Sequence, residues 1–444
     1  MTAATAPTES PVPTAPTASE DLRRAVLLLN NPFVGDSRSW KLACSLAGNG
    51  WAVTVVARSA DGLPGREEHN GFDVVRIHQP RPLAWLPTPR LPEAATGEAT
   101  GEATRRRRSG LAGLRAAATE IVGRPIQAIR YLRLAEQWAD RIARVVPGAE
   151  IWQAEGMITL PVALDLRRRL GGRVVYDARD LQVESSLFAR LPGPWRRLLA
   201  RRERGWARSA EATLTVNRPY AEVIERSLGV RPTIVFNGPT GVGEAQPVPI
   251  RERLGLEPTT RIVLCLGSVA PGRGVEQLCR AIVEVPDAVL LVVGPGGAFR
   301  ERLRLEASRL PAGDRIHFLP EVAPADIPAW TAAADVAAMP IQPTTLNHRL
   351  TTPTRLFDAL GAGVPIVASD LPGMAEIVRQ TGAGVVCDPS DPAAIGAALR
   401  EVLDAPPGRR AELRAAALAA ANGTYAWDRQ VDTLLGVYRD VESA

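Results

Sequence analysis

The run Thr352-Pro353-Thr354-Arg355-Leu356-Phe357-Asp358-Ala359-Leu360-Gly361-Ala362-Gly363-Val364-Pro365-Ile366-Val367-Ala368-Ser369-Asp370-Leu371-Pro372-Gly373 reads as a short helix, a glycine turn, a buried strand and a second polar turn. Arg355 and Asp358 stand three apart and so share one helical face. An arginine and an acid at the mouth of such a loop suit a ligand with both a phosphate and a sugar hydroxyl. The guanidinium pairs with phosphate oxygens, and the carboxylate accepts from hydroxyls.

Upstream of this run the alternation of strand and helix continues. Arg261 to Leu266 is an apolar strand running straight into Gly267-Ser268-Val269-Ala270-Pro271-Gly272-Arg273-Gly274, with helical sequence from Val275. Backbone N–H groups at such a helix start bind phosphate, and the glycines let a ligand approach. The spacing is a near miss to a P-loop: Arg273 replaces its lysine and Gly274 its magnesium-holding hydroxyl, which excludes a P-loop ATPase. Strands are expected at Ala288 to Val293, Ile316 to Phe318, Val336 to Ala338 and Pro365 to Ala368, and a last helix at Trp427 to Val441. Gly294-Pro295-Gly296-Gly297 is a further strand-end turn, with a structural and a ligand-facing reading both open.

A similar order precedes the Gly/Pro-rich run from Asn237-Gly238-Pro239 to Pro249, which reads as an interdomain linker. Ala25 to Leu29 is a continuous apolar strand, followed by the loop Asn30 to Asp36, a helix to about Ala47, and strands Ala52 to Ala57 and Asp73 to Ile77. Strands Ile151 to Ala154, Arg173 to Tyr176, Thr213 to Val216 and Thr233 to Phe236 follow, separated by helices at Leu160 to Leu170, Pro194 to Ser209 and Pro219 to Leu228. This order calls for doubly wound parallel sheets. The expected units are a disordered tail over 1–23, a first domain over 24–238, a second over 250–422 and a closing helix over 424–441. Residues 80–110 carry the repeat Thr96-Gly97-Glu98-Ala99, Thr100-Gly101-Glu102-Ala103 and the run Arg105 to Arg108, and read as a mobile insertion. Basic helical sequence follows from Leu111 to Val146, interrupted near Gly123-Arg124-Pro125.

Composition excludes several classes. A chain of 444 residues, 45% hydrophobic, exceeds one ordinary core. Its charge of +5 is mild and does not argue for nucleic acid. Basic residues are almost all arginine, with Lys41 the only lysine. Cys44, Cys265, Cys279 and Cys387 are scattered, so disulfides and structural zinc are not expected, and the four histidines show no metal-ligand spacing. No apolar run has the length of a membrane span. These features suggest a cytoplasmic protein without a metal or cofactor.

The motif at 352–373 closely resembles the nucleotide-sugar site of family-4 glycosyltransferases. The resemblance implies a GT-B fold, with two Rossmann-like domains facing a cleft, and transfer of a sugar from a nucleotide diphosphate sugar to an acceptor hydroxyl with retention of configuration. It implies a donor site of Gly267, Ser268, Gly272, Gly294, Val322, Asp358 and Gly373. Arg273 and Arg355 would hold the diphosphate, Asp358 the ribose, and the backbone at Val322, after His317-Phe318-Leu319-Pro320-Glu321, the base. His317 itself reads as a packed histidine. Asp358 falls on the second of the family's two signature glutamates, and Leu350 stands where the first would contact the donor sugar. Ser268 takes the place of an early loop arginine. Pro353 to Asp358 fits a variant motif of some members, and Glu376 follows the next donor-side turn or serves its helix start. In this family a closing helix like Tyr425-Ala426-Trp427 onward crosses back to the first domain.

On the acceptor side, Gly35, Asp36 and Arg38 occupy the first strand-to-helix loop, where Asp36 is also a good helix cap. Arg179 stands where the family often has a histidine; as an arginine it stabilises a leaving phosphate rather than acting as a base. Glu155 and Glu184, each beyond a strand end, are candidates to contact an acceptor hydroxyl or are surface carboxylates. The resemblance implies a hydroxyl acceptor, expected to be a glycan, a lipid or a small natural product. The arginine-rich stretch Leu191 to Ser209 reads either as a solvated helix face or as a peripheral contact with the inner face of the cell membrane. A sugar-nucleotide epimerase and a non-catalytic nucleotide-sugar-binding protein share the same features.

Overall fold

The structure is a computed structural model and describes residues 22–69, 71–79, 134–185, 188 and 191–443. The expectations for the N-terminal tail, the 80–110 insertion and the basic segment up to residue 133 lie outside the described residues.

Two sheets, parallel but for one edge strand, organise the chain. The first holds β1 (Arg23–Leu28), β2 (Trp51–Arg58), β3 (Arg66–His69), β4 (Phe72–Ile77), β5 (Ile151–Glu155), β6 (Arg173–Asp177), β7 (Ala212–Thr215) and β8 (Thr233–Ile234), in the order β3-β4-β2-β1-β5-β6-β7-β8. The second holds β9 (Arg261–Leu266), β10 (Ala288–Val293), β11 (Ile316–Leu319), β12 (Val336–Met339), β13 (Ile366–Ser369) and β14 (Gly384–Cys387), in the order β11-β10-β9-β12-β13-β14. Strands such as β10, buried at every position, are apolar throughout because helices cover both faces.

Two strands escape the sequence reading. β3 is Arg-Glu-Glu-His, a polar edge strand antiparallel to β4, whose charges suit an edge and carry no apolar signal. β14 is four residues long and pairs only with β13.

In each sheet the strand order reverses beside the first strand, between β1 and β5 and between β9 and β12. Connections leave in opposite directions there and open a crevice at the strands' carboxyl ends, where ligands bind in doubly wound folds. The loops after β1 and β5 in one domain, and after β9 and β12 in the other, therefore define the site.

The last helix, Trp427–Ser443, packs on the first domain: Trp427, Val431, Leu434, Tyr438 and Val441 join the cluster of Ala25, Leu27 and Val53. Trp427 donates to Ser45 Oγ at 2.9 Å, and the backbone N–H of Phe236 donates to Gln430 Oε1 at 3.0 Å.

Candidate active site between the two domains

The glycine loop after β9 is held by backbone bonds: Gly267 N–H donates to Val293 O and Val269 N–H to Pro295 O, both at 2.8 Å. Gly294 is packed, not open. A Cβ on it would lie 2.1 Å from the Gly267 carbonyl oxygen, so the two loops press backbone to backbone. Gly267 itself has φ +117°, a region that favours glycine. Ser268 is exposed on this loop. Gly272 makes room for His348, whose Cε1 would lie 3.0 Å from a Cβ there.

Arg355 reaches this loop from the helix Thr354–Ala362. Its Nη1 donates to Leu266 O at 2.7 Å, while the buried Nε and Nη2 have no hydrogen-bond partner among the described residues. Burial lowers its pKa, and Arg273 lowers it further. No side-chain hydrogen bond or ion pair to Arg273 occurs among the described residues. Two guanidiniums thus repel each other across the loop, and unused donors remain beside it. Such an arrangement suits a multiply charged anion.

Asp358, one turn along, faces differently. Burial pushes its carboxyl up to about 6, against the opposing pull of Lys41 from the first domain. Lys41 Nζ donates to the carbonyls of Asn237 (3.3 Å) and Gly238 (2.6 Å) and sits 4.6 Å over the Trp427 ring. Asn237 Nδ2 donates to Thr354 Oγ1 at 2.7 Å. The helix face of Thr354 and Asp358 therefore looks toward the interdomain linker, whereas Arg355 looks toward the glycine loop. Val322 packs at the edge of the apolar cluster beside β10, three residues beyond β11. Gly373 backs onto the carbonyls of Leu350 and Thr351, so its missing side chain admits that backbone.

The short helix Leu346–Leu350 bridges the domains. Asn347 Oδ1 accepts from Leu181 N–H at 2.9 Å and from Tyr220 OH at 2.7 Å, and its Nδ2 donates to Asp180 at 3.2 Å. Leu346 and Leu350 pack against the first domain's cluster containing Tyr220 and Ile224. Asn217 Nδ2 donates to the Leu350 carbonyl at 2.8 Å and to Thr352 Oγ1 at 3.0 Å. The side chain at position 350 is thus spent on an apolar interdomain contact.

Facing this, the first domain carries a charged cluster at its crevice. Asp36 caps the helix Ser37–Gly48 by accepting from Ser39 N–H at 3.1 Å, after Gly35 at φ +69°. Its carboxylate also receives Arg179 at 3.1 and 3.2 Å. Burial pushes Asp36 up, but Arg179, Asn31 and Ser39 together bring it below the usual carboxylate range. Arg38 is buried, forking onto Asp177 at 2.9 and 3.2 Å and donating to Val235 O at 2.9 Å. It is a structural clamp with no open face.

Glu155 has no exposed side-chain surface, so an acceptor hydroxyl does not reach it in this arrangement; its Oε2 lies 3.2 Å from Arg179 Nη2. Burial pushes this carboxyl up to about 8, with Arg179 opposing. Glu184 stands apart, partly exposed, 4.0 Å from Arg196. Sequence reasoning missed Lys41, Asn347, Asn217 and Tyr220. Lys41 carried one signal, its uniqueness; the others gain meaning only from the opposite domain.

Residues 249–419 match the family described as Glycosyl transferases group 1. The D-inositol 3-phosphate glycosyltransferase of Acidothermus cellulolyticus is 30% identical over 293 residues, 62% of this chain and 63% of that protein. The GDP-mannose-dependent alpha-(1-6)-phosphatidylinositol monomannoside mannosyltransferase of Mycolicibacterium smegmatis is 34% identical over 184 residues, 40% of this chain and 46% of that one. The matched stretch thus spans between about half and under two thirds of these relatives' length. Among solved structures, sucrose-phosphate synthase from Thermosynechococcus elongatus superposes with a TM-score of 0.69 at 19% identity, covering 95% of this chain and 99% of that one. The Anabaena protein HepE, in complex with UDP and glucose, gives 0.64 at 14% identity, covering 94% and 100%. These likenesses show the fold: two Rossmann-like domains in the GT-B arrangement.

Proposed function

We propose that this chain is a GT-B glycosyltransferase, which moves a sugar from a nucleotide diphosphate sugar to an acceptor hydroxyl with retention of configuration. One observation carries the reading: Arg355, bonded through Nη1 to Leu266 O beside the glycine loop, keeps Nε and Nη2 without a hydrogen-bond partner among the described residues, close enough to Arg273 for the two charges to repel. A diphosphate satisfies both. As the bond to the sugar breaks, negative charge grows on the departing diphosphate, and fixed guanidiniums stabilise that charge more than the ground state. Asp358 accepts from ribose hydroxyls once the donor separates it from Lys41.

The first-domain cluster sets Arg38 and Arg179 against Asp36, Asp177 and Glu155. With its guanidiniums already matched by carboxyls, it favours a neutral hydroxyl acceptor over an anionic one. The exposed Arg197, Arg201 and Arg202 of the helix Gly193–Ala207 support a contact with an anionic membrane surface that presents a lipid-linked acceptor. Among the described residues no helix is long and apolar enough to cross a membrane. Co-sedimentation with anionic vesicles checks that part.

The main test is thermal shift against UDP, GDP, dTDP and ADP, with wild type and Arg273→Ala. A ligand at 100 times its Kd adds about 2.7 kcal/mol to the native state. Stabilisation by one nucleotide, lost in the variant, supports the donor site and selects the sugar donors to assay. No shift with any nucleotide defeats the reading. Binding without transfer identifies a non-catalytic binding protein, and donor conversion without acceptor an epimerase.

A further inference from the structure

A line of buried hydrogen bonds, continued by an ion pair, joins the crossing helix to the cleft. Tyr438 is fully buried, its ring edge-on to Trp51, and its hydroxyl donates to Gln153 Oε1 at 2.6 Å. Gln153, buried on β5, donates from Nε2 to Glu155 Oε1, also at 2.6 Å. Glu155 Oε2, which has no hydrogen-bond partner among the described residues, then faces Arg179 as an ion pair at 3.2 Å, and Arg179 reaches Asp36 and, at 3.2 Å, Ser39 Oγ. Packing alone would hold this helix, since Trp427, Val431, Leu434 and Val441 are already in the core. A buried polar chain costs desolvation at each member, which its hydrogen bonds and the closing ion pair must offset.

The chain has one direction. Because an ionised carboxylate only accepts, the carboxamide turns Nε2 toward Glu155 Oε1 and presents its own Oε1 to the phenol, which donates. Only Oε2 is left for Arg179.

We propose that Tyr438 and Gln153 are positioning residues: through Glu155 they hold the Arg179 guanidinium against Asp36 at the mouth of the cleft, so the crossing helix sets the geometry of the acceptor side. The inference deepens the proposed transfer and rests on it for its kinetic readout. It also has a consequence independent of turnover. The charged groups facing Glu155 are Arg179, Asp177, Arg38 and Asp36, with Tyr438 beyond Gln153. A proton on Glu155 must sit on Oε2, where it meets a donor on Arg179 and loosens the hold. Removing the tyrosine hydroxyl frees the Gln153 amide, weakens its donation to the carboxylate and moves this titration upward.

The experiment compares wild type, Tyr438→Phe, Tyr438→Leu and Glu155→Gln. Melting temperature against pH from 4.5 to 9 should fall in wild type as Glu155 ionises, lose that component in Glu155→Gln, and shift to higher pH in Tyr438→Phe by about half a pH unit or more. Donor turnover by Tyr438→Phe should show kcat about 5–10-fold lower with donor KM within about twofold. If Tyr438→Phe matches wild type in the melting curve and in kcat while Tyr438→Leu is impaired, the ring alone matters and the inference is overturned. If wild type turns over no nucleotide sugar, the functional reading fails. The melting curves then decide the relay: a displaced Tyr438→Phe curve supports it, and a superimposed one overturns it.

Discussion

The guanidinium of Arg355 donates from Nη1 to the carbonyl of Leu266 at 2.7 Å, so a backbone oxygen, not a carboxylate, draws it onto the glycine loop. A carboxylate there would neutralise the charge that the site offers to an anion. The carbonyl fixes the plane of the group and leaves Nε and Nη2 unused.

Arg355→Lys keeps the charge but loses the planar fork that reaches carbonyl and ligand together. Its nucleotide affinity should fall at least about tenfold, the scale of one charge-assisted hydrogen bond. Isothermal titration with the nucleotide that stabilises wild type checks this. Wild-type affinity in the lysine variant would remove Arg355 from the donor site.

The resemblance would set Leu350 where a signature glutamate contacts the donor sugar; in the structure its side chain packs on the first domain's apolar cluster. Leu350→Glu should therefore lower stability by about 1–3 kcal/mol, the penalty for forcing a polar group into an apolar contact. It should not raise turnover. A differential scanning measurement beside a donor-turnover assay reads both. An equally stable and more active variant would show that position 350 opens to the sugar.

Lys41 and Asp358 give the protein two opposed pH windows. Burial raises Asp358 to about 6 and lowers Lys41 to about 8, each shift reduced by the partner's charge. For Asp358 the folded state binds the proton more tightly than the unfolded chain, so its contribution is present below about 4 and lost as pH rises through 6. For Lys41 the folded state binds it less tightly, so stability returns as pH rises from about 8 toward 10.5. Asp358→Asn should flatten the lower window by about 1–3 kcal/mol while leaving the fall due to Glu155. Chemical denaturation at pH 4, 6 and 8 measures the difference, and an unchanged profile would place Asp358 in ordinary solvent.

Much of the fold was legible because its signals are local. β9 and β10 announce themselves as apolar runs, and helix starts and stops carry their own caps, such as Asp36 before Ser37. The polar edge strand β3 was not legible, since a sheet edge needs no apolar residue. In the site, the residue types and loop positions of Arg273, Arg355 and Asp358 could be read from spacing. Their directions could not: Arg355 and Asp358 are three apart, yet one turns to the glycine loop and the other to the linker and Lys41.

By itself the sequence determined two doubly wound domains, the glycine loop and the charged groups near the strand ends, because periodicity and turn chemistry act over a few residues. Only the tertiary structure decided which charges are spent and which remain available. Gln153 and Tyr438 are 285 positions apart, and Asn347 lies 166 from the Leu181 amide that it accepts from. Such pairings depend on how the sheets stack and how the last helix returns. A buried charge takes its role from its neighbours in space, and no local pattern encodes them.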